Sequence, residues 1–119
     1  MENSTAKASD LSFLKTMTGD NKEKMTKYIN MFLQGAPGLV SQLDQNLQSA
    51  NWSSLKTTAH TLKSQFSYMG VNEAKEIALS IETNAGQNTN LDQIPAQVER
   101  IKIIFQTACE ELKAAVQAF

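Results

Sequence analysis

Apolar residues recur every three or four positions along most of the chain, and this spacing constrains the fold more than any other feature. The longest series runs from Met25 to Leu47, and the most regular one runs from Ile94 to Phe119. Such spacing places the side chains on one face of an α-helix, whereas a strand needs apolar and polar residues to alternate. No useful stretch alternates in that way, so the sequence predicts an all-α fold.

Five helices are predicted from these series and from the residues that bound them. The first begins at Asp10, a good N-cap, carries Leu11, Phe13, Leu14 and Met17, and ends at Gly19. The others are expected at about 21–50, 52–69 (ended by Gly70), 72–85 (ended by Gly86), and from about 92 to near the C-terminus. Four long amphipathic helices with short connections favour an up-and-down antiparallel four-helix bundle. The short extra N-terminal helix is expected to lie across one end.

Pro37 lies inside the second predicted helix, where a proline removes one backbone donor and clashes with the preceding turn. The apolar series nevertheless keeps its phase across it, with Phe32 and Ala36 before the proline and Leu39 and Leu43 after it. We therefore predict one kinked helix rather than two.

Composition and charge limit the functions that are open to the chain. Its 119 residues, 41% of them hydrophobic, fit one domain with one core, and the net charge of −1 gives no reason to expect nucleic acid or an anionic membrane as partner. No apolar run approaches the ~20 residues that span a bilayer, and the N-terminus lacks the pattern of a secretory signal. We expect a cytoplasmic protein with a flexible N-terminus, 1–9, and one domain, 10–119.

Most catalytic chemistries lack the residues that they need. One histidine and one cysteine, Cys109, leave only scattered carboxylates for a metal ion, so neither a metal nor another cofactor is expected. The sequence contains no glycine-rich phosphate loop and no nucleophile elbow. We therefore expect no ATP binding and no autonomous kinase activity. Cys109 is interpreted as a small packing residue.

His60 is the one candidate for chemistry. At about 100° per residue it lies roughly 130° from the centre of the apolar face of the third helix, on the solvent flank. The neighbours one or two turns away are Ser53, Lys56, Thr57, Lys63, Ser64 and Ser67. An accessible imidazole among cations and small hydroxyl residues suits a nucleophile that accepts phosphoryl groups, because imidazole titrates near neutrality. From spacing alone, an ordinary surface histidine is the commoner explanation.

Residues 59–70, Ala-His-Thr-Leu-Lys-Ser-Gln-Phe-Ser-Tyr-Met-Gly, resemble the signature of histidine-containing phosphotransfer domains. The match holds at His60, Leu62, Lys63, Ser64 and Gly70. The resemblance extends over about residues 10–119 and makes the functional interpretation of His60 the favoured one. Ser64 stands where many members have glycine, and Gln65 is larger than the usual residue, so both could influence which partner docks.

This resemblance implies a phosphocarrier of two-component phosphorelays. His60 would accept a phosphoryl group at Nε2 from the aspartyl phosphate of a receiver domain on a hybrid sensor kinase. It would then pass the group to an aspartate in the receiver domain of a response regulator. Lys63 and Lys56 would stabilise the phosphoryl charge. Glu82 falls where some members place a residue that orients the histidine, although an ordinary surface glutamate explains this position as well.

The resemblance also implies how the partner docks. Ser64, Ser67 and Thr61 would face the receiver, magnesium would come from the receiver's own acidic pocket, and the carrier would act as a monomer. Two other interpretations stay open: an adaptor bundle in which the histidine is incidental, and a substrate domain phosphorylated directly from ATP by a separate kinase domain. Met1 and the short chain favour a free-standing carrier, but a domain cut from a hybrid kinase would look the same.

Overall fold

A computed structural model describes residues 7–119 of the chain, and these residues form five helices. The helices are α1 (Ser12–Thr18), α2 (Lys22–Gln48), α3 (Trp52–Tyr68), α4 (Asn72–Gln87) and α5 (Ile94–Ala118), and a 3-10 turn at Leu91–Gln93 precedes α5. The side chains of Asn21 and Asn51 cap α2 and α3 by accepting hydrogen bonds from Lys24 and Ser54 N–H groups. No strand forms between residues 7 and 119.

The four long helices pack in a ring. α3 lies between α2 and α4, and α5 closes the ring by packing against both α4 and α2. Short connections join each long helix to the next, so consecutive helices run in opposite directions. The predicted up-and-down four-helix bundle is confirmed, with the short helix α1 packed against α2.

Pro37 lies within α2, which continues unbroken on both sides of it. The buried positions around it are Phe32, Ala36, Val40 and Leu43, so one face stays inside along the whole helix, while Pro37 itself faces solvent. The prediction of one helix rather than two is confirmed.

Gly86 does not end α4, and that prediction is wrong. The helix continues through Gln87, and Asn88 takes the left-handed conformation (φ 55°) that closes it. Asparagine tolerates this conformation better than most residues, so the helix can end there without glycine. Gly86 instead lies where α4 meets the side chain of Lys56 on α3.

Three phenylalanines, from α2, α3 and α5, pack together inside the bundle. The rings of Phe32, Phe66 and Phe105 lie 5.8–6.4 Å apart in tilted pairs, which is a favourable aromatic geometry. The buried faces of α2 and α5 differ slightly from the predicted ones. Val40 and Ile104, which lie beside the predicted faces, are buried, whereas Leu39, Leu47 and Phe105 on those faces are only partly buried. Each long helix packs between two neighbours, so its buried face is wider than a single row of residues. Phe119, predicted to face inward, is exposed at the end of α5.

The segment before α1 crosses the end of α3 at Gly70. The Asp10 N–H donates to the Met69 carbonyl at 3.2 Å. Gly70 has φ +66°, and a Cβ built on it would clash with the Asp10 carbonyl oxygen. Glycine is therefore required at this position to let the chain pass, and it also suits the left-handed conformation that follows the end of α3. The prediction of a flexible N-terminus falls, for residues 1–6, outside the described residues.

Candidate functional site

The packing of α3 holds His60 on the outside of the bundle. Leu55, Ala59, Leu62 and Phe66 are completely buried on the inner face of this helix, which fixes its rotation. The side chain of His60 is 61% exposed. The prediction that the imidazole is accessible is confirmed.

One carboxylate joins His60 to Lys63. Glu82, on the neighbouring helix α4, has its Oε2 atom 2.8 Å from the Nδ1 atom of His60. Its Oε1 atom accepts a hydrogen bond from the Lys63 ammonium at 2.9 Å. The Glu82 side chain is only 18% exposed. The structure therefore brings these three predicted residues together, and Glu82 is not an isolated surface glutamate.

The ionisation of Glu82 decides which nitrogen of His60 carries the lone pair in the neutral ring. Burial raises the pKa of Glu82, but the hydrogen bonds from Lys63 and His60, helped by their charges, outweigh burial and keep the pKa below its ordinary value of 4.5. An ionised carboxylate can only accept hydrogen bonds. In the neutral imidazole the proton therefore resides on Nδ1, and Nε2 carries the lone pair.

Lys56 lies beside this group rather than in it. Its aliphatic chain runs along α4 at Gly86, where a Cβ would come within 3.2 Å of the Lys56 Cδ atom. Lys56 and Lys63 line a shallow depression of about 260 Å³ together with Glu82 and neighbouring residues of α4. The two predicted cations thus face one depression at the α3–α4 boundary, on the side of Glu82.

The three predicted docking residues are exposed on α3. Ser64 lies one turn beyond His60, Ser67 lies about two turns beyond it, and Thr61 is next to it. The Thr61 hydroxyl donates to the Thr57 carbonyl at 3.2 Å. Small side chains therefore surround the histidine along this helix.

An exposed apolar surface near the C-terminal end of α3 was missed by the sequence reasoning. It consists of Phe13, Met17, Tyr28, Met31 and Tyr68, and is called here the apolar face. The Phe13 and Tyr68 rings lie 6.0 Å apart, and a groove of about 310 Å³ runs between α1, α2 and α3. One signal for this surface was present in the sequence. α1 is only seven residues long, and so short a helix cannot bury all the apolar side chains that it carries.

Neither metal binding nor membrane insertion is indicated by the described residues. Between Lys7 and Phe119, no three His, Cys, Asp or Glu side chains are grouped so that they could hold a metal ion. In the same range, no helix combines the length and the apolar character needed to cross a bilayer.

Comparison with known proteins identifies the family. A family model described as the Hpt domain matches residues 27–118. This range includes most of α2 and all of α3, α4 and α5. The chain belongs to the Hpt domain family. As an Hpt domain it is a phosphotransfer protein of two-component phosphorelays, as the resemblance of residues 59–70 implied.

A solved structure supports the fold of this Hpt domain. The crystal structure of histidine-containing phosphotransfer protein B from Pseudomonas aeruginosa PAO1 is similar with a TM-score of 0.87. The similarity covers 97% of this chain and 99% of that one, at 21% sequence identity. Among curated protein sequences, none matches this Hpt domain.

Proposed function

We propose that His60 is the phosphorylated residue of this Hpt domain and that its Nε2 atom carries the phosphoryl group between two receiver domains. The observation that supports this most strongly is the 2.8 Å contact between Glu82 and Nδ1 of an imidazole that is 61% exposed. Since Nδ1 is occupied by the carboxylate, Nε2 is the ring atom that offers a lone pair to a partner.

The transfer step follows from this arrangement. The Nε2 lone pair attacks the phosphorus of an aspartyl phosphate, and the bond between phosphorus and the aspartate oxygen breaks, so that the aspartate leaves as a carboxylate. The imidazole becomes a phosphorylated imidazolium whose Nδ1–H still donates to Glu82. The ionised carboxylate balances the positive charge that develops on the ring. The reverse reaction delivers the group to an aspartate of the second receiver.

Lys63 and Lys56 supply positive charge on the flank of the site. Lys63 is held by Glu82 at 2.9 Å, so its ammonium stays on the same side of the bundle as the imidazole. Lys56, also on α3, lines the same depression, and its side chain lies against α4 at Gly86. Lys63 is the principal stabiliser of the phosphoryl oxygens in this proposal, and Lys56 adds a weaker, more solvent-screened attraction.

Receivers dock on the surface of α3 that surrounds His60. Thr61, Ser64 and Ser67 leave room for the partner's active site to approach the histidine. The apolar face adjoins them, because Tyr68 lies one turn beyond Ser64. The partners are the receiver domain of a hybrid sensor kinase and that of a response regulator. The Hpt domain acts between them as a cytoplasmic monomer and binds no ATP.

Replacement of His60 by glutamine tests the proposal. Each protein is incubated with a phosphorylated receiver, and transfer of label is followed. The wild type should acquire label that is labile in acid and stable in alkali, as expected of a phosphoramidate. His60→Gln should acquire none and should unfold at nearly the same temperature, because the exposed side chain packs little. Label on the variant would refute the assignment. A wild type that binds receivers but takes no label from them would indicate an adaptor.

A further inference from the structure

A second carboxylate, Glu111 on α5, binds the chain that precedes α1. Its Oε2 atom accepts a hydrogen bond from the Ala8 N–H at 2.8 Å. Its Oε1 atom accepts from the Ser9 N–H at 2.8 Å and from the Ser9 hydroxyl at 2.6 Å. Burial raises the pKa of Glu111, but these hydrogen bonds and the nearby charge of Lys7 lower it by more, so the carboxylate is ionised near neutrality. Residues more than 100 positions apart are thus joined by three charge-assisted hydrogen bonds.

The residues held in this way lead directly into α1. We call residues 7–10 the strap. After Ser9, the Asp10 N–H donates to the carbonyl of Met69, and the strap passes over Gly70 where no Cβ is in the way. The Asp10 carboxylate then accepts a hydrogen bond from the Ser12 N–H at 2.9 Å at the start of α1. The position of the strap therefore fixes where α1 begins.

α1 has few other contacts that could fix it. It contains seven residues, of which only Leu14 is buried, and a helix of this length is not stable by itself. Yet α1 supplies Phe13 and Met17 to the apolar face, and the Phe13 ring packs 6.0 Å from that of Tyr68 on α3. A displacement of α1 would therefore change the apolar face, which lies about two turns of α3 beyond His60.

From these contacts we infer that Glu111 is a positioning residue for partner docking, which acts through the strap and α1 rather than by touching the partner. Glu111 anchors the strap on α5, the strap sets the start of α1, and α1 completes the apolar face. The consequence for docking rests on the proposed function, whereas the anchoring of the strap does not.

Glu111→Gln is the variant that tests this inference, and Glu110→Gln is its matched control. An amide offers one oxygen in place of two and turns its NH₂ group toward a backbone donor, so at least one hydrogen bond to the strap is lost. Glu110 is the adjacent glutamate on α5, and its side chain is exposed. Amide hydrogen exchange in residues 8–18 should be about tenfold faster in Glu111→Gln than in the wild type, and unchanged in Glu110→Gln.

Transfer kinetics then separate positioning from chemistry. Glu111→Gln should raise the dissociation constant for a phosphorylated receiver by about three- to tenfold, while the transfer rate at saturating receiver stays at the wild-type value. Adding Ser9→Ala to Glu111→Gln should change exchange and docking little further, because both substitutions break the same anchor.

Each outcome decides the inference. Unchanged exchange in residues 8–18 would show that Glu111 does not anchor the strap. Faster exchange with an unchanged receiver dissociation constant would show that the anchor exists but does not position the docking surface, and would equally overturn the inference. If the wild type took no label from any receiver, the proposed function would fail, while the exchange experiment would still decide whether the strap is anchored.

Discussion

Removal of the Glu82 carboxylate should slow phosphoryl transfer without unfolding the domain. Glu82→Ala leaves Nδ1 of His60 without its acceptor and frees Lys63. The proton of the neutral imidazole can then occupy either nitrogen, and the charge that develops on the ring is no longer balanced. A hydrogen bond to a charged group contributes about 1.5–3 kcal/mol, and the exposure of the imidazole favours the lower end of this range. We therefore expect transfer to be about tenfold slower.

Glu82→Gln separates the two contacts of the carboxylate. Its amide oxygen can still accept from Nδ1–H, but its NH₂ group then faces the Lys63 ammonium, which is also a donor. The rate should fall by less than in Glu82→Ala, to about a third of the wild-type value, because one contact survives. Glu76→Ala is the matched control, since Glu76 is an exposed glutamate on the same helix; it should transfer at the wild-type rate.

The assay follows label from a phosphorylated receiver under single-turnover conditions and identifies the phosphohistidine isomer by NMR. The wild type should give only the Nε2 isomer, and Glu82→Ala should give both isomers or a slower reaction. Wild-type kinetics and a single isomer in Glu82→Ala would refute the argument that Glu82 selects the reactive nitrogen.

The pH dependence gives an independent check of the same contacts. The pKa of Glu82 is lower in the folded protein than its ordinary value of 4.5, so its contribution to stability is present above that value. The contribution is lost as the pH falls through the folded pKa. The difference in free energy of unfolding between the wild type and Glu82→Ala should therefore shrink as the pH falls below about 4.5. A difference that grew on acidification would contradict the sign of the shift.

Three further predictions concern neighbouring residues. Lys63→Ala should slow transfer or shorten the phosphohistidine lifetime by about tenfold to a hundredfold without abolishing acceptance; kinetics equal to the wild type would make Lys63 a bystander. Ser64→Phe should leave the fold intact and weaken receiver binding, because a ring one turn from His60 obstructs approach; calorimetric titration showing an unchanged dissociation constant would argue against this docking surface. Asn46→Ala should lower the free energy of unfolding by about 1–3 kcal/mol, because it leaves the buried Thr58 hydroxyl without its hydrogen-bond partner at 2.9 Å. Urea denaturation measures the free energy of unfolding, and an unchanged value would show that the contact is dispensable.

The sequence alone predicted the features that depend on residues close together in the chain. The spacing of apolar residues depends on the pitch of one helix, so it fixed the number of helices and the continuity of α2 across Pro37. The same pitch placed His60 outside before any neighbour was known. The motif of residues 59–70 lies within one helix and its end, and the match of the Hpt family model agrees with it.

The tertiary structure decided which residues from different helices meet. Sequence position left Glu82 equally open to a surface role, and only the rotation of α4 against α3 placed its two oxygens on His60 and Lys63. The bond from Glu111 to the strap joins opposite ends of the chain and leaves no local pattern in the sequence. Exposure of Phe13 likewise follows from where α1 lies on the bundle. Helical pitch is set within one turn, whereas the rotation and register of packed helices are set by all the side chains between them.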